Sequence, residues 1–377
     1  MGRKKKEIKA EDKKIVKSTA NSQFDLIRMD LENTHGADFF APNVETFSFF
    51  DTGSILLNFS LDTKGRGFRS STSMSISGEP KLGKTSSLLF LAGLAQSQNN
   101  YFVCVVDFEL RNDKQKCQDY GIDISPNKFA LIRPNDLESG VSAINKYLAS
   151  GANLFILLDS LDAMTSGVIK SIDWNNPDEM RAMNTAGLRR AGLVTNFINA
   201  VNAKIRKSNS ILCYTQQMRT KMGPAFSYRG ESGASAGDFN VDYKIRLTAD
   251  KKEDIVFGGK IVGRMLEFDF RFNAMNAPNI CEKIPFIYQR GFWKEMELTI
   301  LGVRLGILEK DGSKKEDGKV RYKKDGKIIL ERKDQKNFAA YLTNKEKDPS
   351  IDAIKKEIYD LVMLGMKNQA EEKSTLE

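Results

Sequence analysis

Gly78, Gly83, Lys84 and Thr85 fall within Ser77-Gly78-Glu79-Pro80-Lys81-Leu82-Gly83-Lys84-Thr85, a complete G-x-x-x-x-G-K-[ST] phosphate loop. The loop follows the strand-like Met74-Ser75-Ile76 and opens a helix-like run from Ser86 to Ala92. A nucleoside triphosphate site needs this spacing. Backbone N–H groups of the loop and the helix N-terminus wrap the β-phosphate, Lys84 reaches the β/γ oxygens, and the Thr85 hydroxyl ligates Mg²⁺. Glycine lets the backbone come that close. Glu79, Pro80, Lys81 and Leu82 in the loop, and Ser86 after it, complete the expected nucleotide contacts.

Three further strand-like runs end on polar residues. Val105-Val106-Asp107-Phe108-Glu109 brings a carboxylate that could orient or deprotonate an attacking water. Leu157-Leu158-Asp159-Ser160 is an apolar run capped by Asp, the Walker B pattern in which the carboxylate holds Mg²⁺ through water. Thr215-Gln216-Gln217 puts an amide near the same phosphate. Each alone could be a polar strand cap. Three in succession behind a phosphate loop point to one site, because ligands of open α/β sheets bind at the carboxyl ends of strands.

The elements needed to hold these residues are legible along the chain. Between about 40 and 290, short apolar strands alternate with helix-length segments, the pattern of a mostly parallel sheet flanked by helices. The strands are Met74 to Ser77, Phe102 to Val106, Leu154 to Leu158, Ser210 to Tyr214, Tyr243 to Leu247 and Met265 to Phe270. Residues 1–36 are a lysine-rich arm followed by a helix with an apolar stripe at Val16, Ala20, Phe24, Ile27 and Leu31. That stripe either folds back on its own domain or docks on a neighbouring subunit. The organisation expected is an arm and oligomerisation helix over 1–36, an ATPase core over 37–290, and a small α+β domain over 291–377. The last holds short helices, a basic hairpin around Tyr322 to Ile328 and the amphipathic Ile351 to Met363.

With 377 residues and 41% hydrophobic content the chain can bury a large core. No apolar run reaches the ~20 residues of a membrane span, and the N-terminus is charged, which predicts a cytoplasmic protein without membrane contact. Cys104, Cys117, Cys213 and Cys281 are scattered and read as reduced thiols. His35, the single histidine, excludes His-based catalysis and His-rich metal sites. The net charge of +9 suits a polyanionic partner or simply a solvated basic face.

Taken together, these segments resemble the RecA family of homologous recombinases over nearly the whole chain. Asp51-Thr52-Gly53-Ser54 resembles the stretch ahead of the family's phosphate loop, and Val106-Asp107-Phe108-Glu109 its D-A-E segment. Leu158-Asp159-Ser160-Leu161-Asp162-Ala163-Met164-Thr165 is similar to the V-D-S-V-A-A-L-T block. Gln216, with Arg219-Thr220-Lys221-Met222-Gly223 after it, resembles the N-Q-I-R-M-K-I-G block, and Leu301 to Lys310 the start of the C-terminal domain. The resemblance implies Glu109 as catalytic glutamate, Asp113 as an adenine contact and Gln216 as the sensor of the γ-phosphate. The departures are Lys116, where the family has a tyrosine that stacks on adenine, and Phe270-Arg271-Phe272, where paired lysines reach a neighbour's γ-phosphate. The acidic tail of bacterial members is reduced to Ala370-Glu371-Glu372-Lys373.

Two polar stretches read as loops without regular structure. Ser166 to Asn184 carries Trp174, Met180 and Arg181, with Arg189 and Arg190 beyond it; Arg219 to Asp238 carries Arg219, Lys221, Phe226, Tyr228 and Arg229. Cations interleaved with aromatics on a loop suit phosphate neutralisation and base stacking, and the resemblance implies that both loops bind DNA. The expected activity is DNA-dependent ATP hydrolysis with Mg²⁺, helical self-assembly on single-stranded DNA, and pairing with homologous duplex. Single-strand-binding and mediator proteins are further expected partners. The alternatives are a ring-forming hexameric motor of the same superfamily and a nucleotide-binding DNA scaffold without turnover.

Overall fold

The computed structural model describes residues 23–35, 47–165, 167, 192–222, 227–231, 241–250, 253–276, 280–311, 318–343 and 350–374. The chain divides into two compact units, Met1–Phe47 and Ser48–Glu377. In the first, helix α1 (Gln23–His35) covers the later half of the predicted apolar stripe, with Leu26, Ile27 and Met29 exposed. Val16 and Ala20 lie outside the described residues.

The second unit opens with β1 (Phe49–Phe50), α2 (Ile55–Leu61) and β2 (Phe68–Arg69). There follow β3 (Thr72–Gly78), α3 (Lys84–Asn99), β4 (Phe102–Asp107), α4 (Lys114–Asp119), β5 (Phe129–Ile132), α5 (Leu137–Leu148) and β6 (Leu154–Asp159). Helical residues 192–205, here α6, precede β7 (Ile211–Met222), β8 (Ser227–Glu231), β9 (Tyr243–Thr248), β10 (Asp254–Phe257), β11 (Lys260–Asn273), β12 (Ile280–Ile287) and β13 (Gly291–Phe292). The chain continues with α7 (Lys294–Arg304), β14 (Leu308–Lys310), β15 (Val320–Lys324), β16 (Lys327–Arg332), α8 (Gln335–Thr343) and α9 (Ser350–Ser374).

The main sheet runs β13-β12-β11-β9-β3-β7-β6-β4-β5. From β9 to β5 every pairing is parallel, and β11, β12 and β13 extend it antiparallel. All six predicted strands are present. Strands β3, β4 and β6 are buried almost throughout, as parallel strands covered on both faces must be.

Alternation along the strands sorts the core into two layers. Val103, Val105, Phe155, Leu157, Ile211 and Cys213 pack with Leu88, Leu89 and Leu91 of α3. Their neighbours Cys104, Val106, Ile156, Leu158, Leu212 and Tyr214 pack with Leu137 and Ile144 of α5 and Val194, Phe197 and Ile198 of α6. This two-residue period fixes which polar strand ends face α3: those continuing the odd-numbered series. Cys104, Cys117 and Cys213 are buried free thiols.

Two contacts tie α7 and β13 to the core. Gly291 sits at φ +89°, and a Cβ there would lie 2.2 Å from the Phe90 ring, so glycine meets both the backbone and the packing requirement. Glu297 of α7 is 1% exposed and caps the start of α2. Its Oε1 accepts from Ser54 Oγ and Leu56 N–H, both at 2.8 Å, and its Oε2 from Ile55 N–H at 3.3 Å. Burial pushes its carboxyl up to about 7 despite those donors.

Two expectations needed correction. The stretch from Arg219, expected to lack regular structure, is strand as far as Met222 and pairs antiparallel with β8, Arg219 opposite Gly230 and Lys221 opposite Tyr228. A hairpin ladder satisfies backbone groups whatever the side-chain polarity, and Thr220 and Tyr228 are good strand formers. Helix α9 reaches Ser374, well past the amphipathic part ending at Met363. Met366 and Ala370 of the added segment still pack on the core, and Lys367, Gln369, Glu371 and Glu372 are good helix formers. The basic hairpin β15-β16 turns at Asp325 and Gly326, both left-handed at φ +51° and +76°, the geometry that matches strand twist.

Candidate nucleotide site

Strand β3 ends at Gly78, in register with Gln217 of β7 on one side and Leu247 of β9 on the other. The loop then crosses Lys81 at φ +64° and Gly83 at φ +95°, and Gly83 begins α3. A Cβ on Gly83 would meet nothing within 4 Å, so its glycine requirement comes from the backbone angle and leaves the mouth of the loop open. Glu79, Pro80 and Lys81 are exposed, Leu82 and Ser86 half-buried. Lys84 is buried, and its Nζ donates to the carbonyls of Gly78 at 2.9 Å and Glu79 at 2.8 Å. Burial lowers its pKa, opposed by the charges of the nearby Asp159, Glu109 and Asp162.

Asp159 continues the odd-numbered series of β6 and therefore faces α3. Thr85 Oγ1 lies 3.2 Å from its Oδ1 and 3.1 Å from its Oδ2. Thr215 Oγ1 donates to Oδ1 at 2.7 Å and Asn112 Nδ2 to Oδ2 at 2.9 Å. The peptide that follows, Asp159-Ser160, is cis. On the adjoining strand Asp107 is fully buried. Burial raises its pKa, Asp159's charge adds to this, and the Asn112 N–H opposes it. Its Oδ1 has no hydrogen-bond partner among the described residues.

Glu109 is held from three sides. Ser160 Oγ donates to its Oε1 at 2.5 Å, Gln217 Nε2 donates to the same oxygen at 3.1 Å, and Arg111 Nη1 pairs with Oε2 at 3.0 Å. The amide in contact is thus Gln217, where the sequence pointed to Gln216. Gln216 shares the parity of Leu212 and Tyr214, turns to the other face and is 1% exposed. Gln217 shares the parity of Thr215 and stands over the loop. Its backbone N–H also donates to Asp162 Oδ2 at 2.6 Å.

Asp113 is exposed and caps α4 by accepting from the Lys116 N–H at 2.7 Å. Arg271 is half-exposed and paired with Asp269 at 2.6 Å. Of the residues expected to meet DNA, Arg219 and Lys221 fall in β7, and Tyr228 and Arg229 in β8. Met180, Arg181, Arg190 and Phe226 lie outside the described residues, as do Trp174 and Arg189. The contacting residues that the sequence alone did not assign to this site are Arg111, Asn112, Ser160, Asp162, Thr215 and Gln217. A signal for Thr215 existed: it lies two residues beyond Cys213 on the same strand face.

The donor set fits a hydrated Mg²⁺ beside a triphosphate. It consists of a hydroxyl and a carboxylate 3.1 Å apart, both oxygen ligands, next to a lysine at the base of an open loop. Among the described residues there is no cluster of three His, Cys, Asp or Glu side chains that would hold an ion unaided. No described helix is long and apolar enough to cross a membrane.

Residues 35–293 match the family model of the RecA N-terminal domain. Among curated proteins, Protein RecA of Mycoplasma mycoides subsp. mycoides SC is 27% identical over 273 residues, covering 72% of this chain and 73% of that protein. Protein RecA of Staphylococcus aureus strains JH9 and Newman is 27% identical over 265 residues, covering 70% of this chain and 72% of theirs.

Proposed function

The chain belongs to the RecA family, and on that premise we propose that this RecA-like recombinase polymerises as a helical filament on single-stranded DNA, pairs it with homologous duplex and exchanges strands, with DNA-dependent ATP hydrolysis. Thr85 and Asp159 hold Mg²⁺, which supplies charge neutralisation on the phosphate oxygens. Gly78 to Gly83 and Ser86 line the triphosphate, Lys84 carries positive charge to its β/γ oxygens, and Asp113 at the head of α4 contacts the base. Glu109 takes the proton of the attacking water, its carboxylate kept in place by Ser160, Gln217 and Arg111.

The observation that carries this reading is the Gln217–Glu109 contact. It joins the hydrolytic carboxylate to β7, and the same strand continues into the hairpin bearing Arg219, Lys221, Tyr228 and Arg229. Gln217 takes the sensing role expected of Gln216. Together with Met180, Arg181, Arg190 and Phe226, the hairpin residues form the DNA surface, cations on phosphate and apolar groups against bases. Arg271 is the one cation available at Phe270-Arg271-Phe272 to reach a neighbouring subunit's site.

Electron microscopy with single-stranded DNA and a slowly hydrolysed ATP analogue tests the assembly. Helical filaments are expected; closed rings would transfer the chain to the hexameric motors. An ATPase assay with and without single-stranded DNA tests turnover, and no hydrolysis in either condition would leave a DNA-binding scaffold.

A further inference from the structure

Asn112 is 1% exposed and uses every polar group it has. Its N–H donates to Asp107 Oδ2 at 2.7 Å and its carbonyl accepts from Arg133 Nη2 at 2.6 Å. In the side chain, Nδ2 donates to Asp159 Oδ2 at 2.9 Å and Oδ1 accepts from Lys116 Nζ at 2.7 Å. The amide has only one workable orientation. An ammonium offers donors alone and a carboxylate acceptors alone, so oxygen must face Lys116 and nitrogen must face Asp159.

We propose that Asn112 is the positioning residue for Asp159, fixing the plane of its carboxylate for the metal and taking its own orientation from Lys116. The inference rests on the reading of this site as one for Mg²⁺ and ATP. A carboxylate at a strand end turns about its terminal torsion unless both oxygens are held. Here Thr215 holds Oδ1 and Asn112 holds Oδ2, with the Thr85 hydroxyl within 3.2 Å of each. Losing either clamp frees the plane. Partners that orient a metal ligand are typically worth about 10- to 100-fold in metal affinity. Lys116 contributes one step further out, since without its ammonium the amide can flip and present oxygen to oxygen.

The test is equilibrium binding of a fluorescent ATP analogue to the full chain, in EDTA and across a Mg²⁺ titration, for wild type, Asn112→Leu and Lys116→Met. Leucine fills the space of asparagine and donates nothing. For Asn112→Leu we expect the Mg²⁺ half-saturation to rise about 10- to 100-fold, with affinity in EDTA nearly unchanged. Lys116→Met should shift the same way by less. A purely structural role would weaken binding equally with and without metal, and that result overturns the proposal, as does an unshifted titration in Asn112→Leu. Should Asn112→Leu fail to fold, Lys116→Met decides alone: a raised half-saturation supports the proposal and an unchanged one overturns it. Wild type whose ATP binding ignored Mg²⁺ would instead refute the underlying site reading, a distinguishable failure.

Discussion

The side-chain amide of Gln217 donates to Oε1 of Glu109 across 3.1 Å, linking residues 108 positions apart. With Glu109 as the proposed hydrolytic carboxylate and the β7–β8 hairpin as the proposed DNA surface, this contact couples ATP and DNA binding both ways, because linkage between two binding equilibria is reciprocal. Gln217→Ala should bind ATP normally without DNA yet lose the ATP-induced gain in DNA affinity and its reciprocal, the DNA-induced gain in ATP affinity, and with them the DNA stimulation of the ATPase. Couplings of this kind are typically ~5- to 150-fold, and both should fall toward unity. Gln216→Ala should keep them. The reverse pattern in paired ATPase and DNA-binding assays would return the role to Gln216.

Lys84→Ala removes an ammonium from the base of the loop. Truncating one partner of a buried, hydrogen-bonded charge pair costs about 2–5 kcal/mol, so ATP affinity should drop at least ~30-fold and ATP-dependent DNA binding should vanish with it. Calorimetric titration with MgATP measures the first, and strand pairing that stayed normal would remove nucleotide from the mechanism.

Glu109→Gln retains an oxygen for the Ser160 and Gln217 donors but cannot take a proton. Hydrolysis should fall by about 10²- to 10⁴-fold, the usual worth of a general base, while ATP and DNA binding persist. Complexes assembled on DNA should therefore outlast those of wild type in a dissociation time course. Undiminished turnover would exclude Glu109 as the base.

Glu297 makes folding pH-dependent. Its carboxyl titrates near 7 in the folded chain against 4.5 in an unfolded one, so the folded state holds the proton more tightly. Stability from this group is present in full below about pH 4.5 and lost as pH rises through about 7, a change on the order of 3 kcal/mol. Thermal melts should show Tm declining across that window, and Glu297→Gln should flatten the decline. An equal slope in both proteins would mean that other groups set it.

The phosphate loop, the Asp159 strand and Glu109 were legible because each motif is contiguous and its chemistry depends on local spacing. The sequence pointed to Gln216 rather than Gln217, whose amide reaches Glu109, because a strand's period tells which residues share a face but not which face meets α3. That phase is fixed only when Cys213 and Thr215 line up beside Leu157 and Asp159. Asn112 gave no signal, since its partners Arg133 and Asp159 lie 21 and 47 positions away. Glu297 gave no signal, because a carboxylate is rarely buried without partners and nothing near it in the sequence supplies them. Its partners lie more than two hundred positions away, at the start of α2.

Strand β7 also acts as a measuring rod. Four residues separate Gln217 from Met222, where the antiparallel pairing with Ser227 closes. One residue deleted between them would flip the hairpin to the opposite face. Two deleted would preserve its facing and draw it inward by about 6.6 Å, at the ~3.3 Å rise of an extended chain. Insertions and deletions in this interval are thus restricted to even steps, and even those change the reach from nucleotide to hairpin. Divergence of this protein in evolution, or its deliberate redesign, should leave the length of this interval fixed while its residue types drift.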